Sequence, residues 1–430
     1  MTRRRVVITG MGCANPVGVT VAEMWDALCA GKVGVDHIRV FDASTWPSHI
    51  GAEVRELDFD AMYAKYPTLR EARRNTLFAM AAAEEAVTDA GLVEGTFDPE
   101  RFGVYLGAGE GVPDIESLGR ALADAWTGTE IDKEAYLLRE IEECNGRREL
   151  EQEPNMPGGH IAVQFNAQGP NCCCLTACAA SNQALGEATE MIRHNDADVM
   201  VGGGAHSMLH PLGLTGFCLL TALGTDNENP KGSSRPFDAR RNGFLLGEGA
   251  AMLILEEREH ALARGARIHA EIIGYGSSAD AFRLTDSHED GRGAIACMRA
   301  ALDDAGIGPE DIDYINAHGT STKVNDRVET LAVKKVFGEE RAYRIPISAT
   351  KSMTGHLIAA AGATETIISV QVIRNGILPP TVNYIEPDPE CDLDYVPNVA
   401  REHHVDVAMT NSFGFGGQNI SLVLRRHDDS

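Results

Sequence analysis

The chain has 430 residues, 43% apolar and 23% charged, which allows a large buried core; its 44 glycines serve tight turns and close backbone approaches. A formal charge of -25 opposes nonspecific nucleic-acid binding, which needs a basic field to displace counterions, and disfavours attraction to anionic membranes. No apolar stretch is long enough to cross a bilayer, and ten cysteines dispersed over so long a chain suit a reducing cytoplasm better than a disulfide-stapled secreted domain.

The start, Met1-Thr-Arg-Arg-Arg, has the charge of a signal peptide, but the apolar run over 6–9 is broken by Gly10, Gly12, Asn15 and Pro16. It predicts a first strand and turn. Its glycines resemble a dinucleotide fingerprint only superficially, since the third is missing and Pro16 occupies the turn. Ala86-Val-Thr-Asp-Ala-Gly-Leu92 closes an alanine-rich helix, and a strand over 102–106 follows. From 111 to 157 the composition turns acidic and polar, as in a helical excursion from a sheet. Surface decoration is its first reading, and a partner-facing or pocket-lining insertion its second.

Leu-Thr-Ala-Cys-Ala-Ala-Ser at 175–181 places Cys178 where an apolar strand yields to a helix. Unsatisfied N–H groups and the helix dipole are expected there to lower a thiol's pKa and to cradle an oxyanion. The preceding run Cys172-Cys173-Cys174 has no zinc spacing, and adjacent strand residues point to opposite faces; buried packing is expected for it. The near-continuous apolar run over 251–255 predicts a strand in a parallel sheet covered on both faces.

Two internal echoes suggest a duplicated α/β fold. Ala301-Leu-Asp-Asp-Ala-Gly-Ile307, followed by a strand over 312–316, repeats the pattern at 86–106. Gly186-Glu-Ala-Thr-Glu-Met-Ile192, leading to a strand at 197–201, is repeated by Gly362-Ala-Thr-Glu-Thr-Ile-Ile368, leading to one at 405–409. The division is expected within the charged stretch 257–266, giving an N-terminal half over 1–258 that carries the thiol and a C-terminal half over 259–430.

The C-terminal half carries two histidines. His318, in Asn316-Ala-His-Gly-Thr-Ser-Thr322, ends an apolar strand, and His356, in Lys351-Ser-Met-Thr-Gly-His-Leu357, lies at a strand-to-helix turn. A thiol with one histidine suits hydrolysis, but the second histidine is surplus to that scheme. Two neutral imidazoles donating N–H bonds to one carbonyl oxygen would instead stabilise an enolate beside a thioester. Carbon–carbon bond formation on an acyl-enzyme follows from that reading.

These motifs, with the tail Asn411-Ser-Phe-Gly-Phe-Gly-Gly417, resemble the β-ketoacyl-[acyl-carrier-protein] synthases over nearly the whole chain, most closely the type II elongating enzymes of fatty acid synthesis. The resemblance implies the thiolase fold, a duplicated five-layer αβαβα arrangement. It implies that Cys178 accepts an acyl chain and that His318 and His356 bind a malonyl thioester and promote its decarboxylation. N–H groups of Cys178 and Phe415 would form the oxyanion hole. Lys351 and Glu329 match a buried ion pair behind the histidines. Phe415 matches a gate loosened by Gly414, Gly416 and Gly417, and Asp280 a second mobile loop beside it. Thr320, Thr322 and Phe413 fall among the substrate-binding residues.

The partner implied is an acyl carrier protein, which brings its own phosphopantetheine, so no cofactor or metal is expected. Arg70, Arg73 and Arg74 match a basic docking cluster, which an acidic chain needs to attract an acidic carrier. The string Lys323-Val-Asn-Asp326-Arg327-Val-Glu329-Thr330 also resembles ketosynthase subunits of type II polyketide synthases. That likeness makes a heterodimer with a chain-length-factor-like subunit the alternative to a homodimer. A non-catalytic partner subunit is the reading disfavoured by the intact thiol and histidines.

Overall fold

The computed structural model describes residues 3–111 and 114–427, so Met1 and Thr2 of the charged start lie outside the described residues, as do two residues of the 111–157 stretch. Ten strands form one hydrogen-bonded sheet: β1 (Val6–Ala14), β2 (Phe102–Gly107), β3 (Asn171–Cys174), β4 (Val199–His206), β5 (Gly249–Glu257), β6 (Ala270–Ala279), β7 (Tyr314–Asn316), β8 (Ile347–Ser348), β9 (Val407–Phe413) and β10 (Gln418–Arg425). Their order is β8-β7-β9-β10-β6-β1-β5-β4-β2-β3. Read outward from the β1/β6 junction, the two halves repeat the same order of strands. The junction is a short antiparallel pairing of Val6, Val7 and Ile8 with Ile272, Glu271 and Ala270.

Five helices position the site: α1 (Arg74–Asp89), α2 (Ala180–Arg193), α3 (Arg292–Ala305), α4 (Lys323–Phe337) and α5 (Ala361–Asn375). Helix α1 covers the outer face of the first half-sheet, and α3, with α4 beside it, covers that of the second. Helices α2 and α5 fill the layer between them, which completes the five layers. Residues 361–373 of α5 are all buried. At the α2–α5 contact Thr366 Oγ1 donates to Asn182 Oδ1 at 2.9 Å, and Ser181 Oγ accepts from the Ala363 N–H at 2.9 Å.

The duplication reaches backbone detail. Each central helix is preceded by a 3-10 turn, Ala177–Ala179 before α2 and Ile358–Ala360 before α5. Each turn opens on a non-glycine residue in left-handed backbone, Ala177 at φ 47° and Ile358 at φ 49°. The equivalence thus runs from Ala177 to Ile358, whereas the echo in the sequence aligned Gly186 with Gly362.

Two strand expectations are corrected. β1 continues through Gly10 and Gly12 instead of turning there, because α1 crosses against it: a Cβ on Gly12 would lie 2.0 Å from the Ala82 carbonyl oxygen. The turn comes at Asn15 and Gly18, whose backbones bond each other. β5, expected in a parallel environment, pairs antiparallel with both β1 and β4. Its apolar run reflects burial on both faces, which does not depend on strand direction.

Cys172, Cys173 and Cys174 are half-buried on the edge strand β3, where the sheet has no further strand to cover them. The stretch from 111 to 157 carries helices at Ile115–Asp124, Lys133–Glu143 and Gly146–Leu150. It is fastened to the body through Arg148, which bonds Glu71 at 2.7 Å, and Arg147, which donates to the Thr68 carbonyl at 2.8 Å. No helix among the described residues is long and apolar enough to cross a membrane.

Candidate active site

Cys178 sits in the middle of its 3-10 turn, buried at the head of α2. The backbone N–H groups of Phe415 and of Cys178 itself face its sulfur. The expected lowering of its pKa is not found. Burial pushes the thiol up to about 11, and the two N–H groups and the Lys351 charge pull it back only in part. At neutral pH Cys178 is therefore a thiol that must give up its proton during reaction.

His318 follows β7, on a segment that Glu329 of α4 clasps from behind. One carboxylate oxygen accepts the His318 N–H and the other the Gly319 N–H, both at 2.9 Å. Gly319 is left-handed, and a Cβ there would meet Ala349 at 2.5 Å, so only glycine fits the turn. His356 is set by a bridge to Leu246, its N–H donating to the Leu245 carbonyl at 2.8 Å. Its Nδ1 accepts from the Ile358 N–H at 3.3 Å, which assigns the proton to Nε2. That Nε2 has no hydrogen-bond partner among the described residues.

The three groups converge. A sulfur and two imidazole nitrogens, one from each of Cys178, His318 and His356, lie within 4.8 Å of one another. The imidazole rings meet edge to face at 5.5 Å. Cysteine and histidine are also zinc donors, so the same atoms could hold a soft divalent cation. Burial, and then the positive charge of Lys351, hold both imidazoles well below their usual pKa. They are neutral donors at physiological pH. Neither ring should accordingly take up a proton as pH falls from 8 through 6.5; an NMR titration of the two imidazoles with a midpoint near 6.5 would contradict this assignment.

The expected pairing of Lys351 with Glu329 is corrected. Lys351 pairs with Glu365 of α5 and donates to the His318 carbonyl at 2.7 Å. Glu329 serves the backbone of His318 and Gly319 instead, and burial raises its carboxyl to about 7 despite those donors. Glu365 was not singled out in the sequence. The available signal was its standing as the only carboxylate between Lys351 and Arg374.

Thiol and imidazoles open on a cavity of about 580 Å³ whose wall includes Thr320, Thr322, Phe413 and Phe415. The hydroxyls of Thr320 and Thr322 lie 3.0 Å apart. Phe244, also missed from sequence, stands edge-on to His356 at 5.2 Å and 6.3 Å from Phe415. Gly416 and Gly417 are left-handed. The Gly416 N–H donates to the Leu284 carbonyl at 2.6 Å, and the Asp280 N–H to that of Gly417 at 2.8 Å, so the loop after β6 and the Phe415 loop are joined. Asp280 is buried and accepts from Asn419 Nδ2 at 3.1 Å.

The arginine cluster is divided. Arg74 turns toward buried Glu248, with its guanidinium over Phe59 and Phe78. Arg73 donates to the Arg148 carbonyl at 3.2 Å, and Arg70 is exposed.

Comparison with known proteins shows the family of the chain. Residues 3–261 match the family described as "Beta-ketoacyl synthase, N-terminal domain", and residues 269–385 match "Beta-ketoacyl synthase, C-terminal domain". The chain is 46% identical over 427 residues to the 3-oxoacyl-[acyl-carrier-protein] synthase 2 of Coxiella burnetii, covering 99% of both chains. With the enzyme of that name from Staphylococcus aureus strain COL it is 39% identical over 429 residues, again covering 99% of each. Among solved structures it is similar to a type II polyketide synthase ketosynthase complexed with its acyl-carrier protein, with a TM-score of 0.88, 35% identity, and 99% and 100% of the two chains covered. The ishigamide ketosynthase/chain length factor gives a TM-score of 0.87 at 35% identity, with the same coverage.

Proposed function

Because the chain belongs to the beta-ketoacyl synthase family, we propose that it elongates acyl chains on a carrier protein by decarboxylative condensation, with Cys178 as nucleophile and His318 and His356 as donors to the malonyl thioester. The observation that supports this reading most is the convergence of a buried thiol and two neutral imidazoles within 4.8 Å. In the first half-reaction the Cys178 sulfur attacks the carrier-bound thioester, and its proton passes through an imidazole to the departing carrier thiol. The N–H groups of Cys178 and Phe415 suit the oxyanion that forms.

In the second half-reaction malonyl thioester enters and its terminal C–C bond breaks, releasing CO2 and leaving the electron pair as an enolate. The free Nε2–H of His356, with His318, stabilises the enolate oxygen. The enolate carbon attacks the acyl-Cys178 carbonyl and expels the cysteine thiolate, which regains a proton from solvent. The product is a 3-ketoacyl thioester two carbons longer. The phosphopantetheine arm arrives on the carrier, and the enzyme adds no metal or cofactor of its own. Lys351, Glu365 and Glu329 position the histidines, while Thr320, Thr322 and Phe413 line the approach. Phe415 and the loop at Asp280 form the gate.

The carrier docks near exposed Arg70, with Arg73 beside it, while Arg74 is turned inward to Glu248 and lends that face little charge. The molecule is a homodimer of the reducing cytoplasm, as ten free cysteines and a nucleophilic thiol suit. The likeness to the ishigamide pair supports a second reading, a specialised ketosynthase with a chain-length-factor-like partner. Intact mass spectrometry with saturated, unsaturated and polyketide-like acyl-carrier proteins tests both. The expected result is one acyl adduct per chain, mapped to the peptide containing Cys178, on a species of dimeric native mass. Absence of adducts with every donor would overturn the nucleophile, and a stable monomer would favour the heterodimer.

A further inference from the structure

A second cavity, of about 480 Å³, adjoins the first at Leu220, which lines both. Its apolar wall includes Met208, Leu212 and Phe217, and Met208 and Phe217 belong to the same apolar cluster as Cys178. It therefore extends the apolar surroundings of the thiol away from the histidines. An alkyl chain would need nothing more than such a wall. Two polar side chains, Glu110 and His210, break it.

Glu110 stands on the exposed rim, just after β2, with its Oε2 at 3.6 Å from Nε2 of His206 at the end of β4. His206 is 1% exposed, and neither ring nitrogen has a hydrogen-bond partner among the described residues. Its imidazole holds the Glu110 carboxyl down at about 2, so Glu110 presents an anionic acceptor at neutral pH. His210 caps the helix Pro211–Leu219, its Nδ1 accepting the Gly213 N–H at 3.1 Å. The proton therefore lies on Nε2, which is buried and also without a partner. Burial keeps this ring neutral, with a pKa of about 4. The cavity thus offers one carboxylate acceptor and one N–H donor in a setting that is otherwise apolar.

We infer that Glu110 and His210 select acyl chains bearing a hydroxyl or enol group on the segment remote from the thioester. This rests on the reading of Cys178 as the acyl acceptor. A hydroxyl both donates and accepts, so it suits the Glu110 carboxylate and the His210 N–H alike; a ketone matches only His210, and an ammonium group only Glu110. A plain alkyl chain covers the Glu110 carboxylate and leaves both it and the His210 N–H without a partner. A site built to bond a substrate hydroxyl discriminates strongly against the analogue that lacks it.

The test is competitive loading of Cys178, read by intact mass, with acyl-carrier proteins of four to twelve carbons offered as pairs of equal length, with and without a hydroxyl on the last or penultimate carbon. Wild type should favour the hydroxylated member at least tenfold at one or more lengths. Glu110→Gln, Glu110→Leu and His210→Asn should each reduce that preference below about threefold; asparagine preserves the helix cap and glutamine the shape of the rim. Equal loading of both members at every length, or a preference that survives all three substitutions, would overturn the inference while leaving the acyl-enzyme intact. Absence of any adduct on Cys178 would remove the underlying reading, and the inference with it.

Discussion

Cys178→Ala is expected to take up no acyl group, whereas His356→Ala should still load within about tenfold of wild type yet lose condensation by about 10³ or more, and His318→Ala should slow both half-reactions. The asymmetry follows from the site's electrostatics. With its thiol raised to about 11, only roughly one Cys178 in 10⁴ is ionised at pH 7, so loading requires a base in the reacting complex. His318 is the imidazole that can take that proton, because His356 carries its own on Nε2 and uses Nδ1 to accept the Ile358 N–H, so loss of His356 leaves the base in place. Condensation is different, since the enolate oxygen needs both N–H donors at once. Preloading each variant with acyl group, adding malonyl-carrier protein and following 3-ketoacyl product by mass separates the two half-reactions. If His356→Ala retained wild-type turnover of the acyl group, a hydrolase using Cys178 and His318 would be the better reading.

Cys178, His318 and His356 were legible because each lies where a strand or turn meets a helix, amid glycine and small residues that leave little else for the position to do. Lys351 was legible as a buried cation, but its counterion was not. Glu329 is nearer to His318 in sequence, while Glu365 reaches Lys351 only because α5 runs through the middle layer, and that placement is a property of the packed fold. The thiol shows the same limit. A helix N-terminus can be read from residues 175–181, whereas the burial that outweighs it comes from Phe244, Ile358 and other residues of distant segments. Alternation of helix and strand disclosed the duplication, but the direction of β5 depends on neighbours that are remote in the chain. Gly10 and Gly12 read as turn residues because sequence does not show that α1 lies against them.

Lys351→Met should be as damaging as loss of a histidine, by a route that touches no reacting atom. The ammonium group is 2% exposed and holds together Glu365 and the His318 carbonyl. Its removal leaves the Glu365 carboxylate buried without a counterion, and the second oxygen of that carboxylate already lacks a partner among the described residues. Breaking one side of a buried pair costs about 3–5 kcal/mol, so the melting temperature should fall by several degrees. Replacing both members, Lys351→Met with Glu365→Leu, removes the stranded charge and should recover most of that stability without recovering condensation. The remaining deficit has its own signature. Lys351 charge helps to hold His318 and His356 below their usual pKa, so without it both rings move up, though burial, the larger cause, still holds them down. The double variant should therefore show both imidazoles titrating at higher pH than in wild type, read by NMR of the ring protons. A merely structural lysine would leave the titration of both rings unchanged, and a double variant with wild-type condensation would remove Lys351 from the machinery that supports the histidines.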